Sequence, residues 1–222
     1  MKTFFSQRLP IVIIFSFYFS ASHSQNNLLL NGDSAVWFGV DFSNARFSGS
    51  FADLFGSEDS ASNETINTHF RQWNDFFINE PLNYDIGGAI KKLLLFKAIK
   101  SVNSINKTII VDSLMIAEDK TYKIKNPETT IQSMVEKYES KTKKSGLGCS
   151  LIVESFNKKG VSAYFYFVMF DIESKQVIGY KRLWCIPKGM GIRNYWGGAI
   201  KDCIKQIGTS AYPAIVQQAS KK

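Results

Sequence analysis

The sequence predicts an α+β fold, a mixed α/β arrangement whose central sheet ends in a three-stranded antiparallel meander, with about four helices flanking it. Three observations carry this expectation. Helical and strand periodicities alternate through the first two thirds of the chain. Three long apolar strands then follow with only short polar connections. An amphipathic helix closes the pattern.

The elements follow in order. "AVWFGVDFS" (35–43) is rich in β-branched and aromatic residues and predicts a strand with Val36, Phe38, Val40 and Phe42 on one face. "GSFADLFGSEDSASN" reads as a long Gly/Ser/acid loop. Ile66, Phe70, Trp73 and Phe77 recur at helical spacing, so residues 64–80 form an amphipathic helix that stops before Pro81. "DIGGAIKKLLLFKAIKS" predicts a second helix with Ile86, Ile90, Leu93 and Leu94 inward. Its glycines weaken the first turn by about 1 kcal/mol each. "TIIVDSLMI" (108–116) is expected as a strand, and "NPETTIQSMVEKYES" as a helix capped by Asn126 with Pro127 in its first turn.

"CSLIVESF", "VSAYFYFVMFD" and "QVIGYKRLWCI" are the meander strands, joined by "NKKG" and "IESK". The middle one is almost wholly apolar and is expected to be buried on both faces. A last helix spans about 194–207 and carries Tyr195, Trp196, Ala199, Ile200, Cys203, Ile204 and Ile207 as its stripe. Residues 211–222 are expected as a C-terminal tail, so that 25–210 form a single α/β domain.

Residues 1–24 predict a signal peptide. Lys2 and Arg8 precede the apolar core Leu9–Phe19, and "SASHS" supplies small residues for cleavage. The core is too short to span a bilayer, which takes roughly 20 apolar residues. The mature chain is therefore expected to be exported, periplasmic or secreted, without a transmembrane segment. Cysteines stand at 149, 185 and 203, so no thiol near the cleavage region can carry a lipid anchor. An odd count of three excludes a disulfide-dense scaffold. Cys185 and Cys203 fall on apolar patterns and are expected as core thiols.

Charge is uneven. Without Lys2 and Arg8, 25 basic residues stand against 19 acidic ones. Residues 25–89 hold only Arg46 and Arg71 against nine acids, a net of −7, while residues 90–222 carry +13.

Motifs for specific chemistry are sparse. Gly189 to Asn194 matches G-x-G-x-x-N, but a dinucleotide site needs a third glycine and a following parallel strand. The stretch is expected as a turn, with Asn194 as helix N-cap, beside Lys188 and Arg193, which could hold an anion. "KGVSAYFYF" misses the RNA-recognition strand because Val161 and Ala163 stand where aromatic faces must stack, so nucleic acid is not an expected partner. His69 is the sole histidine of the mature chain and lies off the apolar stripe, as expected of an exposed residue. No metal spacing, cofactor motif or catalytic set emerges. "NET" at Asn63 and "NKT" at Asn106 are glycosylation sequons, meaningful only in a eukaryotic source.

"VWFGVDFSNARFSG" and "YFVMFDIESKQVIGYKR…GMGIRNYW", with the leader, resemble a group of small secreted bacterial proteins of uncharacterised activity. The element order is also similar to the periplasmic modules of the TolB N-terminal and LpoB type, a resemblance that implies service in envelope protein assembly. The expectation is thus a non-enzymatic envelope module that binds an envelope protein or cell-surface component. Its candidate binding residues are Asp41 and Ser43 at a strand end, Asp53, Glu58 and Asp59 in the acidic loop, and Lys188 and Arg193. The alternatives are a carboxylate hydrolase using Asp41 and Asp171, and a small-ligand carrier with an apolar cavity under the meander.

Overall fold

The computed structural model describes residues 30–55, 63–117 and 122–221. The expected leader, with its cleavage region, lies outside them, as do Glu58 and Asp59.

A mixed sheet organises the chain. Strand β5 (Leu147–Asn157) lies at its centre. One edge of β5 pairs in parallel with β1 (Ser34–Asp41) along its first half and with β2 (Arg46–Ser48) along its second. Its other edge pairs antiparallel with β6 (Ser162–Asp171), which pairs antiparallel with β7 (Val177–Cys185). Two short strands extend the parallel side: β3 (Leu94–Lys97) on β1 and β4 (Met115–Ile116) on β2. The α+β class holds. The antiparallel meander describes only one side of the sheet, because β5 is also the centre of a parallel set.

Helix α1 (Phe51–Phe55) follows β2, and α2 (Asn63–Asn79) buries Ile66, Phe70, Trp73 and Phe77 as its spacing predicts. The expected second helix is instead three elements. A single turn α3 (Ile86–Ala89) is capped by Asp85, whose Oδ1 accepts the Gly88 N–H at 2.8 Å. Lys91 then takes φ of +54°, which ends the helix. The chain continues through Leu93 into β3, with Leu93 and Leu94 exposed rather than inward, and then into α4 (Ile99–Asn106). The expected strand at 108–116 is mostly a 3₁₀ turn (Val111–Leu114), in which the Ser113 hydroxyl donates to the Ile110 carbonyl. Such local bonds compete with a ladder.

Helix α5 is Pro127–Val135, with no side-chain cap bond from Asn126. Helix α6 begins at Gly191, not Asn194, and runs to Gln206. A π-helical turn (Ile207–Ala211) leads on into α7 (Tyr212–Lys221). The expected tail is therefore helical, and Ile215 is buried against Gly179 of β7.

Two apolar clusters fill the two faces of the sheet. The larger joins α2 and α6 to the sheet through Phe156 stacked on Trp196 at 4.1 Å and Phe42 on Phe70 at 4.2 Å. The smaller packs α5 and Tyr138 on Val36, Phe38 and Val168. Val36 and Phe38 thus face one way, while Val40 and Phe42 face the other. The expected single face fails because Trp37 opposes Cys149 while Val40 opposes Leu151, so β1 carries one extra residue at Gly39 (φ +104°). A bulge of this kind flips the alternation.

Among the described residues no strand lies beside the outer edge of β1 beyond Trp37, because the chain after β3 turns into α4. Two asparagines take the strand's place. Asn74 of α2 accepts the Val40 N–H at 2.6 Å and donates to the Val40 carbonyl at 3.0 Å. Asn106 of α4 accepts the Phe42 N–H at 2.9 Å and donates to the same carbonyl at 3.0 Å. Both are buried, so the Asn106 sequon is closed in the folded chain.

Cys185 and Cys203 are not separate core thiols but form a disulfide, Cα to Cα 5.7 Å, that ties the end of β7 to α6. Cys149 is buried and free, with its thiol pushed up by burial.

Replacing Asn74 by Ala leaves Val40 with a buried, unpaired N–H and is expected to cost about 1–3 kcal/mol. Urea unfolding checks this. A loss below about 1 kcal/mol would mean that water replaces the amide freely.

Candidate functional site

The expected binding residues do not converge. Asp41 is buried. Its Oδ1 accepts the Ser43 N–H at 2.8 Å and its Oδ2 the Tyr138 hydroxyl at 2.7 Å. The carboxylate closes the turn that follows β1, and Ser43 stands exposed beside it. Asp53 belongs to a capping box on α1: the Ser50 hydroxyl accepts the Asp53 N–H at 3.1 Å, and Asp53 accepts the Ser50 N–H at 3.1 Å. The Ser50 hydroxyl, which donates to Asp53 Oδ2 at 2.6 Å, and then the Ser50 N–H hold its carboxyl below the usual range.

Lys188 and Arg193 flank the Gly189–Asn194 turn, and its geometry favours the structural role. Gly189 and Gly191 have φ of +134° and +73°, and a Cβ at Gly189 would come within 2.8 Å of the Asn194 carbonyl. Arg193 is turned onto Phe76 of α2 and onto Glu80. It pairs with Glu80 at 2.9 Å and lies 4.2 Å over the Phe76 ring, while its carbonyl accepts the Trp73 indole N–H at 3.0 Å. Lys188 lines a separate open groove with Leu82, Asp85 and Lys201.

Asp41 and Asp171 are also apart. Asp41 lies level with Ile152 of β5 and Asp171 level with Leu147, on opposite sides of that strand. Five residues of strand are about 16 Å. Asp171 accepts the Glu173 N–H at 3.1 Å and the Ser174 hydroxyl at 2.8 Å, which makes it a turn residue. His69 is not exposed but half-buried, flanked by Phe55 and Trp73, and burial lowers its pKa. The space that a carrier would need under the meander is occupied by Phe156, Phe165 and Trp196.

A different surface gathers polar groups: a groove of 920 Å³ over β6 and β7, between α5 and the last turn of α7. Its floor holds Tyr166, Tyr180 and Arg182. Lys123 and Lys181 stand at its rim, with Glu128 the acid among its lining residues.

A second bulge builds this floor. Val153 opposes Phe165 but Ser155 opposes Tyr164, so Glu154 is the extra residue of β5. Glu154 is fully buried and fully used. Its Oε1 accepts the Ile124 N–H at 3.0 Å, and its Oε2 accepts Arg182 Nε at 2.7 Å and meets Nη2 at 2.5 Å. Arg182 also lies 4.0 Å over the Tyr164 ring. A guanidinium fixed on two sides loses little freedom on meeting a further anion. Burial, and then the Glu154 charge, push the Tyr166 hydroxyl up to about 12, so it stays a neutral hydrogen-bonding group.

Sequence reasoning passed over this surface. The alternation in "GYKRLW" was visible, but that Glu154 lies beneath Arg182 depends on a bulge and on pairing across β6. Among the described residues, no group of three or more His, Cys, Asp or Glu side chains is placed to hold a metal ion.

Burial raises the Asp41 pKa above its ordinary 3.8. The native state therefore holds this proton to higher pH than the unfolded chain does, and stability is lost as pH rises from 3.8 through the native value. Asp41→Asn keeps an acceptor for Ser43 and removes the charge. In urea titrations from pH 4 to pH 7 the wild type is expected to lose stability relative to this variant, by about 1 kcal/mol or more. A pH-independent difference would contradict the burial argument.

Scans against protein-family models, curated proteins and solved structures each returned no match for this chain.

Proposed function

We propose that the chain is exported and serves as a non-enzymatic envelope binding or assembly module, with the β6–β7 groove as its partner surface. The groove carries the reading: it is open and lined by many polar groups, with a pre-held arginine and two rim lysines, which suits a macromolecular surface more than a closed catalytic pocket. Export fits the reading of residues 1–24 as a signal peptide. It also fits the Cys185–Cys203 disulfide, since such bonds persist in oxidising compartments. Among the described residues no helix is long and apolar enough to cross a membrane.

The carboxylate-hydrolase alternative lacks support from the geometry, because its two carboxylates sit on opposite sides of β5 and both close turns. The basic groove replaces the acidic 49–63 loop as the surface to test first. The acids of that loop are in part structural, as at Asp53, and in part outside the described residues.

The test is an affinity pull-down from envelope extract of the protein's own source, with wild type beside a Lys123→Glu, Lys181→Glu double variant. Wild type is expected to retain one stoichiometric partner and the variant roughly tenfold less of it. No partner, or equal retention by both, would overturn the reading.

A further inference from the structure

Among the described residues the sheet ends on β7, and its outer edge is organised. In an antiparallel ladder, residues alternate between pairs that exchange both backbone bonds and pairs whose N–H and C=O point away. The Trp184 carbonyl accepts Gln206 Nε2 at 2.8 Å, and the Ile186 N–H donates to Asp202 at 3.1 Å. These contacts identify the even-numbered residues as the outward set. The register is unbroken from Ala163 opposite Cys185 to Met169 opposite Gly179, so Tyr180 and Arg182 also turn their N–H and C=O outward. At the other end Val177 N–H donates to Gln132 of α5 at 3.1 Å. Side chains therefore close both ends of the edge. The middle forms one wall of the groove between Thr129 and Gln132 on α5 and Gln218 and Ala219 on α7.

We propose that this edge is a docking strand, and that the groove takes an extended acidic peptide segment of a partner protein, which adds to β7 beside Tyr180 and Arg182. The inference rests on the binding-module reading and specifies its mode. In strand addition the main chain supplies affinity, and alternate side chains supply specificity. One set of the peptide's side chains would lie over Tyr166 and Tyr180, the other toward Lys181. Lys123 and Lys181 select carboxylates, against Glu128 among the lining residues, while Arg182, its charge balanced by Glu154, offers hydrogen-bond donors held in place. The same cations disfavour a second copy of this chain, since antiparallel pairing of two β7 edges about this window brings Lys181 and Arg182 near their own copies.

The experiment uses the purified protein and synthetic peptides of about ten residues that alternate Glu with Thr or Lys with Thr. The acidic peptide is also made N-methylated on the Glu amides or on the Thr amides. Calorimetry is expected to show binding of the acidic peptide only, with at least tenfold loss on methylating one of the two amide sets and little change on methylating the other. Tyr180 and Arg182 amides should become protected from hydrogen exchange on binding. Tyr180→Pro should abolish binding while the β6–β7 ladder survives, because that N–H points away from β6, and Tyr180→Phe should retain it.

Binding that is indifferent to both methylation patterns overturns strand addition and leaves the binding-module reading standing on the pull-down. Absence of binding at about millimolar peptide overturns it likewise. Protection of the Tyr180 amide that grows with protein concentration alone would assign the edge to a second copy and also overturn the proposal.

Discussion

The interruption of the first strand at Gly39 is the constraint on which the rest of the structure depends. With one extra residue there, β1 pairs with only the first half of β5, and β2 can pair with the second half. The same step turns Phe42 into the larger cluster, onto Phe70, Trp73 and Phe156. Its cost is a stretch of backbone at Val40 and Phe42 with no strand on its outer side. Asn74 and Asn106 meet that cost from two different helices, so the positions of α2 and α4 are coupled to the break. Each buried donor left unpaired would forfeit about 1–3 kcal/mol, a large share of an ordinary domain's stability. Gly39 itself is confined: a Cβ there would lie 2.5 Å from Asn74 Oδ1.

The far side of the sheet follows a different logic. There a second bulge, at Glu154, sinks a carboxylate beneath Arg182 and fastens the segment before α5 to the sheet through the Ile124 N–H. The Cys185–Cys203 bond holds the end of β7 on α6, and Ile215 of α7 packs on Gly179. An edge strand restrained at both ends and along one face is pre-organised, and pre-organisation lowers the ordering cost of any partner that pairs with it. The opposite edge, β3, is shorter and exposes Leu94 and Phe96 instead of a polar groove.

Much of the fold was legible because its signals are local. The stripe of α2, the apolar middle strand and the short polar turns of the meander each follow from periodicity within one segment. The run 85–101 misled for the same reason. Its apolar spacing suits a helix, but Asp85 caps a single turn, Lys91 leaves helical geometry, and pairing with Ser34–Trp37 recruits Leu94–Lys97 as a strand. Gly39 within "FGVD" was the available sign of a bulge. The partners that make the bulge tolerable are 34 and 64 positions away, out of reach of any local pattern. The site suffered more. Asp41, Asp53 and Arg193 looked like free polar groups and are structural, whereas Arg182 and Lys181 looked like ordinary strand residues and line the groove.

Amide hydrogen exchange at Val40 and Phe42 tests the central claim most directly. If the two asparagine side chains complete the broken strand, both amides exchange only through global unfolding, at the rate of ladder amides such as those of Leu151 and Val168. Exchange at the rate of an unbonded, solvent-exposed amide would show that the break is open to solvent, and would contradict the account.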